Sequence, residues 1–287
     1  MLRGILTLES YDYTKGKLGE LIDVIIESKA AVFVCAVGVP PKPVVDKIHA
    51  AGILYMNMVG HPKHVRKCLD LGCDLICAQG GEGGGHTGDI PTTVLVPAIV
   101  DICKGHTSAF TGQPVLVVAA GGIHNGRLLA AALTMGAGAV WVGTRFILTE
   151  EAGAPEAHKE AVRTAGFEDN VRTLVFTGRP LRVRTNAYID NWENERQQEI
   201  KELLSQGIIP YESDLEKAMK REEEPTEDTS GKEGYDVDTL LDIGQPFLMG
   251  KCAAVVTEKK TAREVVDEFV GDAVRWLRKT NGFVVKL

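Results

Sequence analysis

The sequence predicts an α/β fold of parallel strands joined by crossover helices, and three observations carry that prediction. From about residue 17 to 166, short β-branched runs alternate with segments of helical spacing. The runs are apolar throughout rather than alternating, which marks strands buried on both faces. Glycine pairs follow the third, fourth and fifth runs, where parallel α/β folds bind their ligands. Alternation at a repeat of roughly 20–40 residues calls for right-handed crossovers, as in a closed (β/α)8 barrel or an open doubly wound sheet.

The expected strands are Ala31 to Val37, Ile53 to Val59, Asp74 to Ala78, Pro114 to Ala119 and Ala139 to Val142. Between them, helices are expected over Leu18 to Ser28, Pro43 to Ala51, Pro62 to Leu71, Thr92 to Cys103 and Asn125 to Met135. Gly52, Gly72 and Gly136 fall where helix C-termini need a residue tolerant of positive φ. After Glu150-Glu151 the texture changes: a helix over Ala157 to Ala165, a short strand over Val171 to Phe176 and a polar helix over Asn191 to Gln206. A last helix, Ala262 to Lys279, places Val265, Val266, Phe269, Ala273, Trp276 and Leu277 on one stripe that packs on the barrel.

Composition narrows the function. At 44% hydrophobic and 25% charged residues the chain can bury a core. A net charge of −7 has the wrong sign for a surface that neutralises nucleic-acid phosphates. That charge is concentrated: residues 212–238 hold eleven acidic and four basic residues, so the segment reads as a solvated loop or insertion. Six cysteines inside apolar runs indicate reduced thiols and a cytoplasmic setting. Neither they nor the His61/His64 pair have paired metal-ligand spacing, so no metal is expected. No stretch reaches the roughly 18 apolar residues of a spanning helix, and no membrane partner is expected.

Gln79-Gly-Gly-Glu-Gly-Gly-Gly-His-Thr-Gly88 is the densest motif. Successive glycines after a strand leave backbone N–H groups unshielded, open to a phosphate or a flat ring, with the imidazole of His86 projecting beside them. Gly83-x-Gly85-x-x-Gly88 satisfies a dinucleotide fingerprint literally, but Asp89-Ile-Pro91 intervenes before the helix and no acidic residue ends the next strand. Two further motifs, Ala119-Ala-Gly-Gly-Ile123 and Val142-Gly-Thr-Arg-Phe146, repeat the pattern of strand, glycine and helix N-terminus. Three such ends in succession suit a phosphate-bearing ligand, because amides and helix dipoles converge on one dianion.

Together these motifs, with Ala120-Gly-Gly-Ile-His-Asn-Gly-Arg-Leu-Leu-Ala-Ala-Ala-Leu133, Gly136 to Phe146, Thr149-Glu-Glu151 and the tail Gly244-Gln-Pro-Phe-Leu-Met-Gly250, resemble the nitronate monooxygenases, also called 2-nitropropane dioxygenases. Flavin-dependent enoyl-acyl carrier protein reductases share the Glu-x-Gly-Gly-His, and inosine monophosphate dehydrogenases the Gly-Gly-Ile loop. The resemblance implies a (β/α)8 TIM-barrel fold and an FMN lying across the strand ends. Its phosphate would rest on Gly121, Gly122, Gly143 and Thr144, with Gln79, Gly80, Gly83, Gly84 and Gly85 near the ring and ribityl chain. His86 would be the catalytic residue, facing the reactive edge of the flavin. The implied reaction is oxidative denitrification of a nitronate or nitroalkane by dioxygen. A neutral histidine near pKa 6.5 suits removal of a proton α to a nitro group. Gly83 stands where the family usually has Ala.

The front departs from the family's pattern. About 30 residues with one helix precede the first clear strand, apart from an irregular strand near Leu2 to Leu8, and match no flavin-covering loop. The expected organisation is therefore a partial barrel over 1–166, a helical extension over 167–211, the acidic loop over 212–238, and a closing loop with the last helix over 239–287. Two rival readings follow: an NAD(P)H-linked FMN enoyl reductase of the same fold, and a shortened, catalytically silent paralogue or fragment. The substrate is expected to be a small molecule, and the oligomeric state is open.

Overall fold

The computed structural model describes residues 14–36, 38–223 and 234–283. In chain order its first elements are α1 (Leu18–Glu27), β1 (Val32–Cys35), α2 (Lys42–Ala50), β2 (Leu54–Val59), α3 (Val65–Asp70), β3 (Leu75–Gln79), β4 (Gly85–His86), α4 (Thr92–Cys103), β5 (Leu116–Ala120), α5 (Gly126–Thr134) and β6 (Ala139–Trp141). The five expected strands are all present, and they pair in parallel in the order β1-β2-β3-β5-β6. All five expected helices form as well. Pro62–His64, expected to begin the third, is instead a 3-10 turn in which His61 Nδ1 accepts from the Lys63 amide at 3.1 Å.

Register explains why the strand sequences are continuously apolar. Tyr55, Val59, Ile76, Ala78, Val117 and Ala119 point to one face and are buried against Val45, Val65, Leu95 and Ile99 of the helices. The alternate residues Met56, Cys77, Val118 and Ala120 point to the other face and pack with Val34 and Met58. Row pairings Gln79↔Ala120 and Ala120↔Trp141 therefore put three side-chain positions side by side on that second face, at the C-terminal ends of β3, β5 and β6.

The remaining elements are α6 (Thr144–Ile147), α7 (Glu156–Arg163), β7 (Asn170–Thr173), β8 (Leu181–Arg184), α8 (Ala187–Glu195), α9 (Gln197–Ser205), α10 (Pro210–Glu223), α11 (Val237–Ile243), a 3-10 turn over Lys251–Val255, and α12 (Ala262–Asn281). Residues 167–211 are thus not a helical extension alone. β7 and β8 form an antiparallel hairpin, and β4 adds to it in the order β4-β8-β7. Leu-Arg-Val-Arg184 hides its strand character because the Arg182 side chain is buried, donating from Nε to the Gly81 carbonyl at 3.0 Å.

Two further expectations change. The polar helix over Asn191 to Gln206 is two helices, broken at Arg196, whose φ of −118° and ψ of 22° leave the helical region. Its guanidinium lies 3.4 Å over the Trp192 ring and bonds Asp214, interactions that anchor the break. The first part of the acidic segment is helical: α10 carries a Glu216–Lys220 pair one turn apart and buries Ala218. Residues 224–233 and the strand expected near Leu2 to Leu8 lie outside the described residues.

α12 packs on α5 through Val265, Phe269 and Ala273, so closely that a Cβ on Gly126 would stand 2.4 Å from the Phe269 carbonyl oxygen. Val266 and Leu277 of the expected stripe are 46% and 37% exposed, because α12 buries a narrower strip than its sequence offers. Its start is fixed by a capping box on Thr261 and Glu264, and by Glu151, which accepts from the Ala262 amide at 2.8 Å. None of the six cysteines is in a disulfide, and no helix among the described residues is long and apolar enough to cross a membrane.

Candidate active site

The three glycine-bearing strand ends meet at one cavity of ≈260 Å³. Gln79, Gly83, Gly84, Gly85, Gly121, Gly122, Gly143 and Thr144 all line it, eight of the nine positions expected to hold a cofactor. Met58, Ala120 and Trp141 supply its floor from the same sheet face, and Ile123 and Leu248 add apolar wall. The ninth position, Gly80, does not line it. Its amide donates to the Ala120 carbonyl at 2.9 Å, and a Cβ there would meet Thr92 Oγ1 at 2.1 Å, so this glycine serves a tight backbone crossing.

The other glycines divide by the same test. A Cβ on Gly84 would lie 2.6 Å from the amide nitrogen of Gly250, and one on Gly121, at φ +95°, 2.7 Å from the Gly80 oxygen. At both positions the protein's own backbone forbids a side chain. Gly143 is different: its φ is −106° and a Cβ would meet nothing within 4 Å. It opens α6, whose N-terminus no side chain caps. Thr144 is buried, and its Oγ1 accepts from the Gly250 amide at 2.9 Å, so its hydroxyl ties down the loop that closes the cavity.

Glu82, inside the glycine run, was not singled out as a site residue, and it is what holds that run in place. Its carboxylate accepts from the Thr92 amide at 3.0 Å and from Thr92 Oγ1 at 2.8 Å, capping α4 from outside, while its carbonyl accepts from the Lys251 amide at 2.9 Å. Gln79 spends its amide on the same run, donating from Nε2 to the His86 carbonyl at 2.7 Å.

His86 lies on β4, paired with Leu181, and lines a neighbouring cavity of ≈470 Å³ that shares Met58 and Gln79 with the first. Its Nε2 is 3.0 Å from Thr177 Oγ1, and that hydroxyl in turn donates to the Arg179 carbonyl at 3.1 Å. Nε2 is thus engaged by Thr177, and among the described residues no hydrogen bond is made by Nδ1. Partial burial and the nearby Arg179 guanidinium hold the imidazole below the ordinary histidine pKa. The ring is therefore neutral near pH 7, a base with one nitrogen available. Sequence reasoning missed Thr177 and Arg179: they sit in a turn some ninety residues from His86 and carry no motif. Among the described residues, no group of three or more His, Cys, Asp or Glu side chains is placed to hold a metal ion.

Comparison with known proteins gives a consistent picture. A 5-hydroxy-7a-methyl-1-oxo-octahydro-1H-indene-4-carboxyl-CoA dehydrogenase of Mycobacterium tuberculosis is 38% identical over 176 residues, covering 61% of this chain and 47% of that protein. A Staphylococcus saprophyticus protein named "Probable nitronate monooxygenase" is 31% identical over 222 residues, 72% of this chain and 57% of its own. The chain spans about half the length of the curated relatives it matches. Among solved structures, FabK from Thermotoga maritima superposes with a TM-score of 0.69 at 25% identity, over 94% of this chain and 76% of that one. A nitroalkane oxidase from Streptomyces ansochromogenes shares the fold, with a TM-score of 0.65 at 24% identity over 88% and 67%. The family model for nitronate monooxygenase matches residues 7–245, most of the length, and the chain belongs to that family.

Proposed function

We propose that this chain is a nitronate monooxygenase-type oxidoreductase that uses FMN to oxidise an alkyl nitronate or nitroalkane with dioxygen. The observation that carries the reading is the junction at Met58 and Gln79: a glycine-walled cavity on one side, and a neutral histidine with a free Nδ1 on the other. The residues present fit the cofactor. Gly143 leaves room at its Cβ position, and beside it the uncapped amide end of α6 suits a phosphate. The flat floor of Ala120 and the glycine pair Gly121-Gly122 admit a planar ring.

FMN, when bound, supplies the electron chemistry that leads to a carbonyl compound and nitrite. The chain's own part is positional and acid–base. Nδ1 of His86 removes the proton α to a nitro group or, with the proton on it, hydrogen-bonds a nitronate oxygen. Thr177 fixes the ring so that Nδ1 is the nitrogen offered to substrate.

Reconstitution with FMN, followed by flavin absorbance and oxygen uptake on propane-2-nitronate, tests the reading. A yellow protein that consumes oxygen is the expected result, and no flavin band after reconstitution refutes it. The rival enoyl reductase activity predicts anaerobic bleaching of the flavin by reduced nicotinamide instead.

A further inference from the structure

The hairpin beside His86 carries two arginines at positions where stability alone favours neither. Arg172 of β7 and Arg182 of β8 are direct cross-strand partners, which sets two like charges side by side and weakens a sheet. Arg182 is also only 7% exposed, and taking a cation out of water is costly. Burial and the facing Arg172 pull its pKa below the ordinary arginine value, against the opposing pull of the Glu82 and Asp89 carboxylates. An apolar side chain would serve this strand better as a strand.

What the pair does instead is hold the glycine run at both ends. Arg182 Nε donates to the Gly81 carbonyl at 3.0 Å, and Arg172 Nη1 donates to the Gly88 carbonyl at 3.0 Å. Between those points lie Gly83, Gly84 and Gly85 of the first cavity and His86 of the second. The backbone of Arg182 pairs with Gly85, so one residue fixes the run at Gly81 and again next to the imidazole. Its guanidinium is itself held, because Nη1 donates to Asn170 Oδ1 at 3.2 Å. That amide cannot be turned round without setting its NH2 against the guanidinium. Asn170 Nδ2 is left buried with no hydrogen-bond partner, a further cost in stability borne by the same geometry.

We propose that Arg182 is a positioning residue for the reaction at His86: its fork fixes the imidazole relative to the cavity glycines. The inference rests on the role given to His86 above, and it adds a residue that lines neither cavity. Lysine is no substitute, because a single ammonium on a flexible stem lacks the planar fork that serves Gly81 and Asn170 together.

Arg182→Met, which keeps an apolar stem and removes the fork, and Arg182→Lys, which keeps the charge, test the assignment in the full chain reconstituted with FMN. Arg182→Met should lower kcat on 2-nitropropane about tenfold or more with KM little changed, the size expected of a small misplacement of the base. Arg182→Lys should lie closer to that variant than to the parent. The decisive comparison is in a His86→Ala background, where Arg182→Met should change the remaining kcat by less than about twofold, because nothing is left to position. An equal loss in both backgrounds overturns the inference, as does an Arg182→Lys chain as active as the parent. Hydrogen exchange of the flavin-free chain reads the clamp without turnover: in Arg182→Met, residues 80–88 should exchange about tenfold faster while α4 and β5 keep their rates. Unchanged exchange over 80–88 overturns the inference too. If Arg182→Met does not fold, Arg182→Lys takes its place in the cycle and in the exchange. A chain that takes up no flavin loses the earlier reading, and exchange still decides whether Arg182 fixes the run. A His86→Ala chain that is impaired, with the Arg182 loss undiminished on top of it, refutes this inference alone.

Discussion

Replacing Gly143 and Gly84 separately by alanine distinguishes a glycine kept for a ligand from one kept for packing. At Gly84 the added methyl would stand 2.6 Å from the Gly250 nitrogen and the Met249 carbonyl carbon, both backbone atoms that cannot swing aside. Overpacking of that kind costs about 1–3 kcal/mol. Gly121→Ala adds a left-handed backbone penalty of about 1–2 kcal/mol to a similar contact, for a total of about 2–5 kcal/mol. Gly143→Ala meets no atom within 4 Å and no φ penalty, so the flavin-free chain should keep its stability to within about 0.5 kcal/mol. Its cost should fall on cofactor binding. Displacing one charge-assisted contact to phosphate loses about 1.5–3 kcal/mol, a rise in Kd of about 10- to 100-fold. Urea unfolding of the flavin-free variants gives the first quantity and FMN titration by fluorescence quenching the second. A Gly143→Ala chain that binds FMN like the parent, or unfolds as early as Gly84→Ala, refutes the assignment of Gly143 to the cofactor.

Further outcomes follow from the structure. His86→Ala should lower kcat on a nitroalkane by about 100-fold or more with flavin content unchanged, the size expected for loss of a general base; Thr177→Val should lower kcat less and leave the flavin spectrum intact, because it removes only the hydroxyl that holds Nε2 of His86. The base must be deprotonated to act and its pKa is held below the usual histidine value, so kcat/KM should rise with pH along an acid limb lying below about 6.5 and then level off. Arg179→Ala should move that limb to higher pH, and a limb that stays put overturns the electrostatic assignment. Burial pushes Cys68 and Cys103 up to about 11 and Cys77 up to about 12, so iodoacetamide at neutral pH should modify the half-buried Cys35 first. Mass spectrometry of tryptic peptides reads the order.

The sheet was legible because parallel strands buried on both faces write themselves as unbroken apolar runs, and Asn125 and Gly136 punctuate their helix as caps do. The cavity was legible because its walls are the ends of those runs. What escaped was whatever depends on partners distant in sequence. Leu-Arg-Val-Arg184 is a strand because β7 pairs along one side of it, Gly85 and His86 pair along the other, and Arg182 finds acceptors inside. Arg196 breaks a helix for the sake of Trp192 and Asp214. Thr177 acquires a role only through the fold that carries it to His86. Local propensity holds no record of such pairings.

That division also changes what the glycine motif means. Read along the chain, a dense glycine run looks like a surface bared for a ligand, yet Gly80, Gly84, Gly88 and Gly121 each lie where a Cβ would strike the molecule's own atoms. The run is thin because three layers cross within it: the end of β3, the cap that Glu82 places on α4, and the closing loop at Met249-Gly250. Crowding of this kind is what makes a preorganised site, since the amides and the imidazole are held by packing before any ligand arrives. The closing loop comes from the far end of the chain: the Gly250 amide reaches Thr144, Leu248 bridges to Val183 of β8, and the Leu248 carbonyl lies 2.8 Å from Nε2 of His158. β8 and residues 248–250 therefore act as the clamp on a site whose glycine-bearing walls are written in residues 79–144. A substitution that loosens the clamp, such as Thr144→Val, should reduce flavin retention even though it leaves every glycine in place.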